Sequence, residues 1–224
     1  MALTISGFNM TGNLTAVHIT PPPPPPPPSV IGQAYGGGFY SGQISTTGDG
    51  IATHYLIVGP AASSQSTVQW KTPATSTAGT SSAIDGPTNS ANMNDASHPA
   101  AYFCEGLTIG GYSDWYMPAK NELEVCYYNL KPTNTANNTG FGINPNAVPA
   151  RASNYTSGTP AQTSAAAFVT STGAEAFGTG RYWSSTQASA TAGWVQYFAT
   201  GSQLYNYHKS NYSFAVRAVR RVAV

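Results

Sequence analysis

Charge is what this chain has least of. Asp, Glu, Lys and Arg together make up 8% of its 224 residues, about a third of the share in an ordinary soluble domain. The formal net charge is +1, and the only local gathering of basic residues is Arg217, Arg220 and Arg221, spaced through an apolar segment. Phosphate binding needs a clustered positive surface, so nucleic acid is excluded as a partner. Cysteine is nearly as scarce. Cys104 and Cys126 are the two present, without the Cys-x-x-Cys spacing of redox catalysts. They read as buried thiols, with a disulfide left open by sequence alone. No run of eighteen apolar residues occurs, so no helical membrane insertion is expected. The opening Met1-Ala-Leu-Thr-Ile-Ser-Gly7 has neither the basic n-region nor the apolar core of a signal peptide. His18, His54, His98 and His208 stand far apart, without the paired spacing of a zinc site, and there is no Gly-x-Ser-x-Gly nucleophile elbow. The expectation is therefore no metal, no cofactor and no catalysis.

What is present is apolar and neutral-polar. The hydrophobic fraction of 41% supports a packed core, while Ser, Thr, Asn, Gly and Ala supply the rest. Low charge with abundant Gly, Thr and Asn is the habit of β-rich extracellular or virion-surface proteins. Combined with the missing secretion signal, it predicts a phage virion component assembled in a host cytoplasm; an extracellular location is the alternative.

The chain breaks visibly at Pro21–Pro28, eight consecutive prolines. Such a run adopts polyproline II at about 3.1 Å per residue and would span roughly 25 Å as a semi-rigid spacer. Residues 1–20 are too few to fold alone, and Leu3, Ile5, Leu14, Val17 and Ile19 give a weak strand-like pattern. They read as an anchor that pairs with other virion proteins or with copies of itself. The expected organisation is an anchor over 1–20, a spacer over 21–28 and one domain over 29–224. Within that domain His54–Gly59 reads as a core strand, and residues 72–95 as a long surface loop. One helix is predicted from about Ser97 to a stop at Gly110-Gly111, and a second between Met117 and Pro132. The stretch from Pro132 to about Thr163 is too polar for a core. The last strand is expected to pair with the strand around Tyr55–Val58.

Three motifs then stand in order. They are Gly110-Gly-Tyr-Ser-Asp-Trp-Tyr-Met-Pro-Ala-Lys-Asn-Glu-Leu123, Tyr182-Trp-Ser-Ser-Thr186 and Val216-Arg-Ala-Val-Arg220. Together they resemble the C-type-lectin-like domains found at the C-termini of bacterial collagen-like adhesins, related to folds in phage variable proteins and formylglycine-generating enzymes. The resemblance covers about residues 50–224. It implies an α+β fold, a C-type-lectin-like domain of two helices with short, mostly antiparallel strands and long loops. Trp115 and Trp183 are expected in its core, and Glu122 as a hydrogen-bond acceptor that stabilises the fold. The Ca²⁺-binding motifs of sugar-binding C-type lectins are missing, with Asp49, Asp85, Asp95 and Asp114 too scattered to gather six oxygens. The cysteines do not match those of formylglycine-generating enzymes.

In phage variable proteins of this type the ligand is met just before the terminal strand, which here is about Gln187–Ser213. The candidate ligand-binding residues are Trp194, Gln196, Tyr205, Asn206, Tyr207, His208, Lys209, Asn211 and Tyr212. Tyr and Asn are also what binding loops use, Tyr for rigid contact area and Asn for adaptable hydrogen bonds. The expected function is recognition of a host surface glycan or protein by a virion fibre or tip, as a homo-oligomer such as a trimer. A structural capsid or tail decoration with no host ligand is the alternative.

Overall fold

The computed structural model describes residues 26–224; the anchor call over 1–20 and most of the proline spacer lie outside the described residues. Ten strands carry the architecture: β1 Ala34–Tyr35, β2 Gly38–Ile44, β3 His54–Val58, β4 Gln65–Val68, β5 Ala147–Val148, β6 Arg181–Gln187, β7 Ala192–Tyr197, β8 Gln203–His208, β9 Phe214–Arg217 and β10 Val219–Ala223. Among the described residues four α-helices accompany them: α1 Ala61–Ser64, α2 Gly86–Ala91, α3 Pro99–Glu105 and α4 Lys120–Leu130.

The α+β expectation is overturned. The strands form two five-stranded sheets, one in the order β1-β2-β3-β10 with β5 added against β2, the other in the order β4-β9-β6-β7-β8. Three of the helices have seven residues or fewer, too short to be stable on their own. They are packing devices around a sheet-dominated fold. Strands such as Gln65–Val68 and Gln203–His208 are rich in Gln, Ser, Thr and Asn, so their periodicity in sequence is faint.

The two sheets share one ribbon. β3 pairs antiparallel with β10 over five residue pairs, from Val58↔Val219 to His54↔Ala223, and β4 pairs with β9 over four. The ribbon bends where Gly59 and α1 on one side face Ala218 on the other, with Gly59 N donating to Ala218 O and Ala218 N to Ser64 O. The expected pairing of the last strand with Tyr55–Val58 is thus what the structure has.

α4 lies among strands of both sheets, against β2 and β5 on one side and β6 and β7 on the other. It is therefore buried nearly all round, from Asn121 through Tyr127 and again at Leu130, rather than on a single apolar face. Its first turn is capped by Glu122, whose carboxylate accepts from Ala119 N at 2.8 Å as well as from the buried Tyr116 hydroxyl at 2.5 Å.

Two apolar clusters flank this arrangement. One gathers Ile44, Leu56, Leu123, Tyr127, Phe168, Phe177, Tyr182 and Phe198. The other gathers Ile57, Trp70, Met93, Cys104, Trp115, Trp183 and Val216, so Trp115 and Trp183 are core, as expected. α3 ends at Gly106, earlier than the predicted stop. Gly110 and Gly111 instead form a turn with φ of +62° and +84°. There the backbone passes so close to Gly37 that a Cβ on Gly110 would meet Gly37 Cα at 2.6 Å. The 72–95 stretch is not simply a surface loop, since it contains α2 and buries Thr80, Asn89, Ser90 and Met93.

Candidate functional site

The few charges of the chain are spent inward. All nine Lys and Arg residues lie in the described part, and none is exposed: Lys71, Lys131, Lys209, Arg217 and Arg220 are buried, and Lys120, Arg151, Arg181 and Arg221 are half-buried. Four arginines pair with carboxylates: Arg217 with Glu175 at 2.8 Å, Arg220 with Asp114 at 2.7 Å, Arg221 with Glu122 at 2.8 Å, and Arg151 with Glu124. A guanidinium taken out of water needs such a partner together with further hydrogen bonds. Arg181 is the exception, with no carboxylate among the described residues; it lies over the rings of Tyr197 and Tyr207, at 4.7 and 4.9 Å from their centres. The exposed acids are Asp49, Asp95 and Asp114.

Of the nine residues expected to contact a ligand, two are turned inward. Gln196 is buried, with Nε2 donating to Gly201 O at 2.9 Å. Lys209 is fully buried; its ammonium donates to Gln187 Oε1 at 2.6 Å, Ala190 O at 3.0 Å and Thr75 O at 3.1 Å, and lies 4.3 Å from the Trp70 ring centre. Burial, with the Lys71 charge adding to it, pulls the Lys209 pKa down to about 8.

The other seven reach the surface in part or fully, but not as one face. β7 and β8 pair Val195 with Leu204 and Gly193 with Tyr207, so three residues of β8 advance against two of β7. That one-residue bulge breaks the alternation of side chains along β8. Tyr205 packs with Trp194, ring centres 5.2 Å apart, and the Lys120 ammonium lies 4.3 Å from the Trp194 ring centre. Tyr207 belongs elsewhere: it packs with Tyr212 at 5.3 Å and Phe214 at 5.0 Å, where Tyr212 and Phe214 stack with a 16° interplanar angle. Tyr205 is 63% exposed and Tyr212 44%. Asn206 and Asn211 are exposed, and half-buried His208 shares a hydrogen bond of 3.2 Å with Ser210 Oγ.

The surface therefore offers two aromatic platforms, each with a cation beside it: Trp194–Tyr205 with Lys120, and Tyr207–Tyr212–Phe214 with Arg181. Sequence reasoning found the aromatic residues and missed Lys120, Arg181 and Phe214. Lys120 stands more than seventy residues before its platform in sequence, and Arg181 opens β6, so position relative to the terminal strand carried no signal for either. Among the cavities that lie apart from these platforms are two lined by charged and aromatic side chains together. One, of about 240 Å³, is lined by Pro87, Glu105, Asp114, Trp115, Tyr116 and Arg221. The other, of about 260 Å³, lies beside Tyr128, Arg151 and the loop 152–159.

No group of three or more His, Cys, Asp or Glu residues among those described is arranged to hold a metal ion, and no described helix is long and apolar enough to cross a membrane. The model of one protein family, the Lcl C-terminal domain, matches residues 62–220, well over half of the chain. The chain belongs to the Lcl C-terminal domain family. This is a C-type-lectin-like, adhesin-like family, so the domain is an adhesin-like binding domain. The Lcl match runs from α1 into β10 and takes in both aromatic platforms, the cavity beside Tyr128 and, apart from Arg221, the lining of the other. No curated protein and no solved structure gives a significant match.

Proposed function

We propose that this Lcl-type domain is the non-catalytic recognition head of a phage virion surface protein, a fibre or tip, that binds a host surface glycan or protein. The observation that carries the reading is the Trp194–Tyr205 pair. Two large rings stand in contact at an accessible edge of the sheet, with exposed Asn206 next in the chain after Tyr205 and the Lys120 ammonium held over Trp194. Rigid aromatic area with an apolar body and polar tips, next to a free amide, is the chemistry of a binding loop. Membership of an adhesin-like family supports binding as the task. The virion setting rests on composition: 8% charged residues, and a proline run suited to holding a head away from an anchor at 1–20. Copies would act together as a homo-oligomer, since a modest single-site affinity gains a hundredfold or more through avidity.

The test is binding of the full chain to candidate host cells, beside Trp194→Ala and Tyr205→Ala variants whose thermal midpoints are checked. Saturable binding that falls at least tenfold in the folded variants supports the reading. Binding unchanged in both would refute this platform as the contact. Absence of binding even for artificially multimerised chain, with immunogold labelling of particles retained, would mark a structural decoration.

A further inference from the structure

The cavity between α2, α3 and β10 holds a carboxylate without an ion pair. Glu105, the last residue of α3, lines it with Asp114, Arg221, Pro87, Trp115 and Tyr116. The other ions at this site are matched. Asp114 takes two hydrogen bonds from Arg220, at 2.7 and 2.8 Å. Arg221 donates to Glu122 Oε1 at 2.8 Å and also to Ile84 O. Three carboxylates thus face two guanidiniums, and the unbalanced negative charge is Glu105, half-buried, with the Ser90 hydroxyl as its hydrogen-bonding neighbour. Burial raises the Glu105 pKa, the mark of a carboxylate short of compensation.

We infer that this cavity receives the ammonium group of a lysine side chain from a partner protein. Arriving at Glu105, the ammonium would supply the missing charge and find Asp114 nearby. Pro87 and the edges of Trp115 and Tyr116 would cover the four-carbon stem. A lysine has an apolar stem and a compact charged head with three donors, and the lining offers the counterpart of each. A neutral sugar fits less well, because it could hydrogen-bond to the lining but would leave the charge of Glu105 uncompensated. The lysine does not come from a second copy of this chain. The four it has are Lys71, Lys131 and Lys209, all buried, and Lys120, held over Trp194. The inference rests on the reading of this domain as a binding module, but uses none of the residues of the Trp194–Tyr205 platform.

The experiment is a titration of the isotope-labelled full chain with Nα-acetyl-lysine methylamide, followed by amide shifts around Gly86, Glu105 and Asp114. Parallel titrations use the Nε-acetylated analogue, the arginine analogue and glucosamine. The expected result is saturable shifts with the lysine analogue, at least tenfold weaker binding once its amine is acetylated, and a similar loss in Glu105→Gln. Equal binding of free and acetylated lysine analogues would overturn the proposal without recourse to any variant. Tighter binding of glucosamine or of the arginine analogue would overturn the choice of lysine. Trp194→Ala should leave this titration unchanged. If the lysine analogue fails while cell attachment remains sensitive to Trp194→Ala, the cavity inference falls and the recognition reading stands.

Discussion

Arg217, fully buried, and half-buried Glu175 form a clasp at the bend of the long ribbon. The Arg217 guanidinium donates through Nη2 to Glu175 Oε2 at 2.8 Å, through Nη1 to Glu175 O at 2.7 Å and through Nε to Gly59 O at 2.9 Å. The same carboxylate oxygen accepts from Ala61 N at 2.7 Å, where α1 begins. One ion pair thus holds together the end of β9, the turn after β3 and the segment that precedes β6.

Removing either partner leaves an uncompensated charge, fully buried at Arg217 and half-buried at Glu175. Arg217→Met should cost roughly 3–5 kcal/mol of stability, and Glu175→Gln less, because the amide oxygen can still accept. Urea denaturation of the three proteins measures this. A loss below about 1 kcal/mol for Arg217→Met would show that the clasp contributes little to holding the bend.

The β8 bulge makes a prediction about coupling. Trp194 and Tyr205 touch, so a double-mutant cycle on stability should return a coupling of about 0.5–1.5 kcal/mol. Tyr205 and Tyr212 belong to different platforms and should be additive within about 0.5 kcal/mol. Strong coupling of the second pair would mean that the bulge does not divide the surface.

Both thiols are inside, and both are free. Burial pushes the Cys126 thiol up to about 12 and raises Cys104 as well, so the thiolate needed for attack is scarce in the folded chain. At pH 8 the native protein should resist alkylation, and both cysteines should become reactive together as urea unfolds it. Rapid labelling of either one in native buffer would reveal a local opening at α3 or α4.

Lys209 should give stability an unusual slope with pH. It titrates near 8 when folded and near about 10.4 when unfolded. Between those values the unfolded chain holds more protons, so this group's contribution rises with pH and its burial cost is complete only below about 8. The native protein should therefore gain stability relative to Lys209→Met on going from pH 7 to pH 9.5. A difference that stays constant across that range would refute the shift.

How much of this was legible in the sequence depended on which force placed each residue. Trp115, Trp183 and the β3–β10 pairing were readable, because large apolar side chains and a β-branched run declare themselves. α3 and α4 also lie where proline and the apolar spacing put them. The polar stretches misled, because asparagine can be buried when distant backbone receives it. Asn89 Nδ2 donates to Ser82 O at 2.7 Å, and Asn137 Nδ2 to Pro160 O at 2.9 Å. Polarity counted along the chain takes such residues for surface. The dominance of the sheets was hidden for the same reason, since β4 and β8 are built largely from Gln, Ser, Thr, Asn and Tyr. The division of the tyrosines between two platforms follows from a single extra residue in β8, which no composition or motif announces.

That none of the nine basic side chains is fully exposed governs how this protein meets anything at all. With four half-buried basic side chains set apart from one another, and only scattered exposed carboxylates, it casts little long-range attractive field toward an anionic surface. Encounter is then left to unassisted diffusion, with association near the neutral range of about 10⁵–10⁶ M⁻¹s⁻¹ and little response to ionic strength. Selectivity in such a molecule resides in how long a correct contact lasts, not in how often one is made.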